Sequence, residues 1–253
     1  MNKALRSLPS WLAGLISVLV VLLVWEAVCR FGQVREVILP RPTLILKDLY
    51  GELGWYLSQA LYTLGVTLAG FALAAIGGVL IAVALVSSPL FERFCYPLIV
   101  GFNSIPKVAL APLFVVWMGT GYEPKVAIAF MIAVFAVIVD TVQGLRSVSP
   151  DILDLGRVLR GGPVAMFFKV RLPSALPSIM AGLKVALSLA LVGAIVGEFV
   201  SSQRGLGFVI MSAQGVFDTV RVFSALIILA VMGLALYFLL DAVERRATRF
   251  RAD

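Results

Sequence analysis

The chain reads as long, continuous apolar runs separated by short polar stretches. A membrane β-barrel would alternate over segments of about ten residues. Unbroken runs of this kind predict an all-α, polytopic bundle instead. Six spans are expected, over 11–29, 60–86, 102–118, 126–142, 175–200 and 222–242. The third is irregular: Pro97, Pro106 and Pro112 interrupt a region, 91–119, that is too long for one simple span. This predicts a broken helix with a short interfacial piece before Pro106.

Between the fourth and fifth spans lies the most basic interruption of the second half, 154–173, carrying Arg157, Arg160, Lys169 and Arg171. Apolar and charged positions recur at helical spacing over 151–159; Gly161, Gly162 and Pro163 break the pattern, and 164–170 offers a second short helix. Leu172-Pro173 closes the stretch, with proline placed to open the next helix. Two readings follow: a helix–turn–helix at the membrane surface with one face toward the cytosol, or an ordinary basic loop obeying the positive-inside rule. On the other side of the membrane the longest connection is 30–59.

Composition agrees with the pattern. The 253 residues are 61% hydrophobic and 14% charged, with mean hydropathy +1.03, against about 25% charged for a soluble domain. The net charge of +7 flanks the apolar segments, where it sets orientation and does not point to nucleic acid. With the amino terminus inside, Lys3, Arg6, Arg93, Arg146 and the cations of 154–173 and 245–251 place twelve Lys and Arg on the cytoplasmic side and seven opposite. Both termini are therefore expected in the cytoplasm. Residues 1–24 have the outline of a signal peptide, but no small-x-small cleavage site follows and the apolar run continues toward Arg30; it reads as a retained first span. Two cysteines and no histidine give almost no support to a disulfide framework, a zinc site or histidine acid–base chemistry. No repeat or linker divides the chain, so 1–253 reads as a single transmembrane domain.

At this point the basic stretch acquires a specific likeness. It resembles the cytoplasmic motif of the permease subunits of ABC importers: Glu-Ala-Ala, three residues, Gly, nine residues, Ile-x-Leu-Pro. Here the pattern becomes Asp154-Leu155-Gly156, Arg160 at the glycine position, and Val170-x-Leu172-Pro173. Arg160 departs from the motif, while Gly161 and Gly162 follow at once, as if the turn were displaced by one residue. SIPKVALAPLF over 104–114, WMGTG over 117–121, GLRSVSP over 144–150, GEF over 197–199, GLG over 205–207 and LPRP over 39–42 are similar to the nitrate, sulfonate and taurine group of that family.

The resemblance implies a type I importer permease of the bacterial inner membrane, working as a homodimer in contact with lipid. Residues 151–173 would be coupling helices, with Asp154, Leu155, Gly156, Arg157, Arg160, Gly161, Val170, Leu172 and Pro173 meeting two cytoplasmic ATPases. Those partners would bind ATP and Mg, since this chain carries no Walker motif and no cofactor site of its own. A periplasmic or lipid-anchored binding protein would deliver a small anion such as a sulfonate, taurine, nitrate or bicarbonate. Similar permeases carry aromatic acids or thiamine precursors.

Pro106, Lys107, Pro112, Lys184 and Glu198 are the candidates for the translocation pathway. Lys107 fits either an attraction for an anion near the gate or a lysine snorkelling to the cytoplasmic interface. Lys184, well inside the fifth span, fits a pathway role or packing against a carboxylate or carbonyl. Glu198 fits a hydrogen-bonded structural role, the holding of an outer loop, or contact with a binding protein. Asp140 reads as an interfacial anchor, and Gly65, Gly70, Gly77 and Gly78 suit close helix packing. An ion-coupled secondary transporter would more naturally show paired intramembrane carboxylates and an internal repeat. A membrane enzyme would need a constellation that is not evident here.

Overall fold

A computed structural model describes residues 10–158 and 162–249. Lys3, Arg6, Arg160, Gly161 and Arg251, to which the sequence reading gives roles, lie outside the described residues. Within them the regular structure is helical: α1 (Ser10–Phe31), α2 (Pro42–Gly51), α3 (Leu53–Ser87), α4 (Pro89–Ser104), α5 (Ala111–Met118), α6 (Glu123–Arg146), α7 (Pro150–Val158), α8 (Pro163–Met166), α9 (Leu172–Ser201), α10 (Leu206–Gly215) and α11 (Thr219–Arg249). Five helical stretches are long and apolar enough to cross a membrane: Leu12–Phe31, Leu53–Ser87, Glu123–Arg146, Pro163–Ser201 and Thr219–Arg246. A bent pair, Pro89–Ser104 with Lys107–Met118, makes a sixth if counted as one span.

The centre of the bundle is α3, α6 and α9. Lipid gives apolar helices no hydrophobic reason to associate, so close approach of backbones must supply the attraction. Small residues allow it here. Ala74, Ala82, Ala133, Ala186, Ala190 and Ala194 are fully buried. A Cβ added at Gly193 of α9 would lie 2.6 Å from the Cα of Ala129 on α6, and one at Gly70 of α3 would lie 2.5 Å from the Ala129 Cβ. Ala129 is thus the point where all three helices meet. Larger side chains, Val134, Val137 and Ile138 against Leu85, fill the space toward α3's far end.

The predicted third span, 102–118, is divided differently. Its first residues belong to α4, which starts back at Pro89, and the chain turns by 85° before the 3-10 turn Lys107–Leu110 and α5. Pro106 is the cause: it offers no N–H, and it pushes Ile105 out of the helical region to φ −74°, ψ 133°. Glu92 and Arg93 in the first turns of α4 break the apolar run, which is why the pattern alone places the span too late.

Two short helices, α2 and α10, were not predicted. Helix α2 is tied down by polar contacts: Tyr56 of α3 and Ser224 of α11 both donate to Asp48 Oδ2, at 2.5 and 2.6 Å. Glu26 of α1 accepts from the backbone N–H and hydroxyl of Thr43, at 3.2 and 3.0 Å. Helix α1 otherwise keeps its apolar surface outward; Leu19, Val21 and Leu23 are each more than half exposed, as lipid-facing residues are.

The Ala129 crossing yields a contrast that can be measured. Gly193→Ala should lower the thermal unfolding midpoint in detergent, by roughly 1–3 kcal/mol of overpacking, because the new methyl meets backbone. Gly77→Ala, whose Cβ would have only Phe130 Cε2 at 3.6 Å, should leave the midpoint unchanged or raise it. Equal effects of the two would refute the crossing.

Candidate functional site

The stretch 150–173 forms a hairpin of short helices on the side where α6 ends and α9 begins. Pro150 opens α7, with acidic Asp151 in the first turn, where a helix dipole favours negative charge. Pro163 opens α8, which runs through a π-helical turn, Phe167–Arg171, directly into α9 at Leu172. A Cβ at Gly156 would collide with the Met166 thioether, so glycine at this position lets α7 and α8 lie side by side. Asp154 and Leu155 are exposed; Val170, Leu172 and Pro173 are half-buried, and Arg157 continues α7.

The surface of this hairpin is unexpectedly apolar. Ile152, Leu155 and Val158 recur every three residues along α7 and are 49%, 59% and 80% exposed. Val164 and Phe168, at 69% and 60%, extend the patch. The opposite side anchors the hairpin: Phe167 and Leu172 pack against Leu145, Ala175 and Ile179 where α6 meets α9. A motif that reads as basic thus presents an apolar patch framed by charge.

The five pathway candidates do not form one site. Lys107 sits just beyond the break, where its ammonium donates to the Asn103 carbonyl at 3.3 Å and Oδ1 at 2.7 Å and lies 4.7 Å from the Phe135 ring centroid. It borders a cavity of about 500 Å³ together with Ala136 and Asp140 of α6 and Leu189 of α9. Asp140 also touches α9, since a Cβ at Gly182 would meet its Cβ at 2.7 Å. Pro106 makes the turn, and Pro112 stands in the first turn of α5, where a missing N–H costs nothing.

Lys184 lies elsewhere. It reaches α11 and pairs with Asp241 at 2.6 Å and Glu244 at 2.5 Å, while Arg245 holds Asp241 from the other side. These contacts bolt α9 to α11.

Glu198 is at the opposite end of α9 and only 1% exposed. Its Oε2 accepts from the Gly207 N–H at 2.7 Å and the Thr63 hydroxyl at 3.1 Å. Thr63 Oγ1 in turn accepts from Leu206 N at 2.8 Å, and Gln59 Oε1 accepts from Gly205 N at 2.7 Å. The three N–H groups at the start of α10 are therefore all satisfied from α3 and α9, as an unpaired helix start requires. Gly205 has φ +101°, and any Cβ there would strike the Glu198 carboxylate. Lys125 lies close to Glu198, buried, with its ammonium on the carbonyls of Thr120 and Gly121 at 3.0 and 2.6 Å. The pairing of GEF with GLG was visible as two motifs; that they form one knot was not.

Replacing Glu198 by Leu strands the Gly207 N–H, at about 1–3 kcal/mol, and leaves the Thr63 hydroxyl only the Gln59 carbonyl, at 3.3 Å. The expected result is a lowered unfolding midpoint and faster protease cleavage in 201–219. Glu198→Gln, which keeps an acceptor oxygen, should fall between Leu and wild type; a Gln variant as damaged as Leu would mean that charge, not acceptance, is what the knot needs.

Comparison with known proteins agrees with this geometry. The profile described as "Binding-protein-dependent transport system inner membrane component" matches residues 74–249. The chain is 31% identical to the putative aliphatic sulfonates transport permease of Bacillus subtilis, over 99% of this chain and 91% of that one. It is 33% identical to the riboflavin transport system permease of Chloroflexus aurantiacus, over 94% and 90%. In fold it matches the membrane subunit in an inward-facing structure of the MetNI methionine ABC transporter, with TM-score 0.69, 18% identity, and coverage of 78% of this chain and 98% of that one. A bundle built on α3, α6 and α9, with a helical hairpin between α6 and α9, is thus the type I fold, and the chain belongs to the family of inner-membrane components of binding-protein-dependent transport systems, as a permease subunit of an ABC importer.

Proposed function

We propose that this subunit pairs with a second copy to form the pathway of an importer for a small anionic solute, such as a sulfonate, taurine, nitrate or bicarbonate, across the bacterial inner membrane. Two cytoplasmic ATPases, which hold the ATP and Mg, dock on the 150–173 hairpins, and a periplasmic or lipid-anchored binding protein delivers the solute. Both termini lie in the cytoplasm, as the distribution of Lys and Arg favours. Asp154, Leu155, Gly156, Arg157, Val170, Leu172 and Pro173 form or frame the dock; Arg160 and Gly161, which the motif also assigns to it, lie outside the described residues.

The observation that carries this reading is the exposed apolar face of α7. A soluble surface has no use for Ile152, Leu155 and Val158 in a row, and contiguous exposed patches of this sort mark partner sites. The anchored opposite face supports a mechanical role. Phe167 and Leu172, which follow α8, pack against Leu145 of α6 and Ala175 and Ile179 of α9, so a push on α8 reaches both helices.

The sulfonate-named relative and the half-buried Lys107 beside the α4–α6–α9 cavity support an anion. The riboflavin-named relative supports a second reading, a larger aromatic solute, with selection made mainly by the binding protein. An ion-coupled carrier is the reading from another class, and the energy source separates it. Uptake in proteoliposomes should stop with vanadate and survive an uncoupler. Asp154→Arg should abolish copurification of the ATPase while leaving the permease folded and dimeric; an intact complex would remove the hairpin from the docking site. Taurine, nitrate and riboflavin, offered to the partner binding protein in turn, decide between the two substrate readings.

A further inference from the structure

Helix α4 is built unlike its neighbours. None of its sixteen residues is fully buried, and it is bracketed by breaks in the helix, Ser88-Pro89 at one end and Ile105-Pro106 at the other. A cavity of about 640 Å³ separates it from α6 along its middle, bordered by Tyr96, Ile99 and Val100 on α4 and by Val139 and Val142 on α6. Across that gap two polar fastenings reach α6. At the Pro106 end, Lys107 caps the Asn103 carbonyl and lies over Phe135 of α6. At the Pro89 end, Glu92 Oε1 pairs with Arg146 Nη2 at 2.6 Å.

Arg146 occupies a strategic position. It is the last residue of α6, and only Ser147, Val148 and Ser149 separate it from α7. The end of α6 is capped, since the Ser147 hydroxyl and N–H both donate to the Gly144 carbonyl, at 2.8 and 3.2 Å, and Val148 in the connection is buried. Next to it Leu145 is buried against Ala175 and Ile179 of α9. The Arg146 guanidinium is therefore the charged group of α6 nearest in sequence to the hairpin, at the point where a displacement of α7 reaches the bundle. The pair itself is half exposed, at 46% and 34% for the two side chains, and such pairs add little to stability. Holding the fold together is not a task it can perform well; passing a displacement to a loosely packed helix is.

We propose that the Glu92–Arg146 ion pair is the transmission link between the 150–173 hairpin and α4. It pulls α4 about the Pro106 hinge as the hairpin moves, so that α4 opens and closes one wall of the pathway. Both residues are positioning residues. The inference rests on the reading of the hairpin as the ATPase dock.

The test uses the complete complex of permease, ATPase and binding protein in proteoliposomes, with Glu92→Arg, Arg146→Glu and the swapped double variant. All three are expected to copurify with the ATPase and to hydrolyse ATP. Each single reversal should lower solute moved per ATP hydrolysed by about tenfold, a loss equivalent to 1.36 kcal/mol in a rate. The swap should restore the ratio to within about threefold of wild type. A swap no better than the single variants, or single variants with normal coupling, overturns the link. Should a reversal prevent assembly, the neutral pair Glu92→Gln with Arg146→Gln gives the same readout, and wild-type coupling in it overturns the proposal. Asp154→Arg is read separately through ATPase copurification, so that loss of the docking reading and loss of the link are told apart.

Discussion

Helices that share a lipid solvent gain nothing by hiding leucine from water, and the whole bundle depends on how that lack of driving force is met. Here the answer is close backbone contact at Ala129, where Gly70 of α3 and Gly193 of α9 leave no room for a methyl group. The consequence reaches well beyond the crossing. With α3, α6 and α9 packed together, the more loosely packed parts of the molecule are arranged around them. Helices α1 and α4 carry no such small-residue contacts; α1 contacts the rest mainly near its end, and α4 keeps every residue at least partly exposed. The division between a rigid centre and attachable flanks follows from where the small residues are.

Burial of polar groups follows the same division. At the end of the bundle where α10 sits, Glu198 and Thr63 are buried because the start of α10 needs acceptors that lipid and apolar side chains do not supply. The knot converts three otherwise costly N–H groups into the means by which the 201–207 turn is held. At the other end the ionic contacts are half exposed, as in Glu92–Arg146, or clustered near the end of α11, as in Lys184 with Asp241 and Glu244.

Much of the architecture was legible because membrane insertion writes itself into composition. The apolar runs at 60–86, 126–142, 175–200 and 222–242 all fall inside long helices, and the basic interruption at 154–173 falls in the hairpin. What escaped was whatever depends on distance in the chain. Thr63 and Glu198 are 135 positions apart, Lys184 and Asp241 are 57 apart, and no local pattern announces either pairing. Helices α2 and α10 escaped because each has only ten residues, too few to span and too few to show a clear period. The start of α4 was hidden by its own charges, Glu92 and Arg93. The exposed face of α7 was a third kind of omission, since spacing showed an amphipathic helix but not which side would be left uncovered.

The three lysines set within or at the edge of the membrane segments show how one residue type is put to different use by its surroundings. Lys125 is buried and its ammonium rests on two backbone carbonyls; Lys184 faces two carboxylates. Each of these charges is answered locally, which makes both poor partners for a passing solute. Lys107 differs. Its partners are one amide side chain, one carbonyl and the face of an aromatic ring, and among the described residues no carboxylate lies within ion-pair distance. Its nearest partners are neutral, and Asp140 stands on the wall of the same cavity. The Lys107 side chain also caps the Asn103 carbonyl at the end of α4. Lys107 thus stands between the bend at Pro106 and the cavity, bonded to the one and bordering the other.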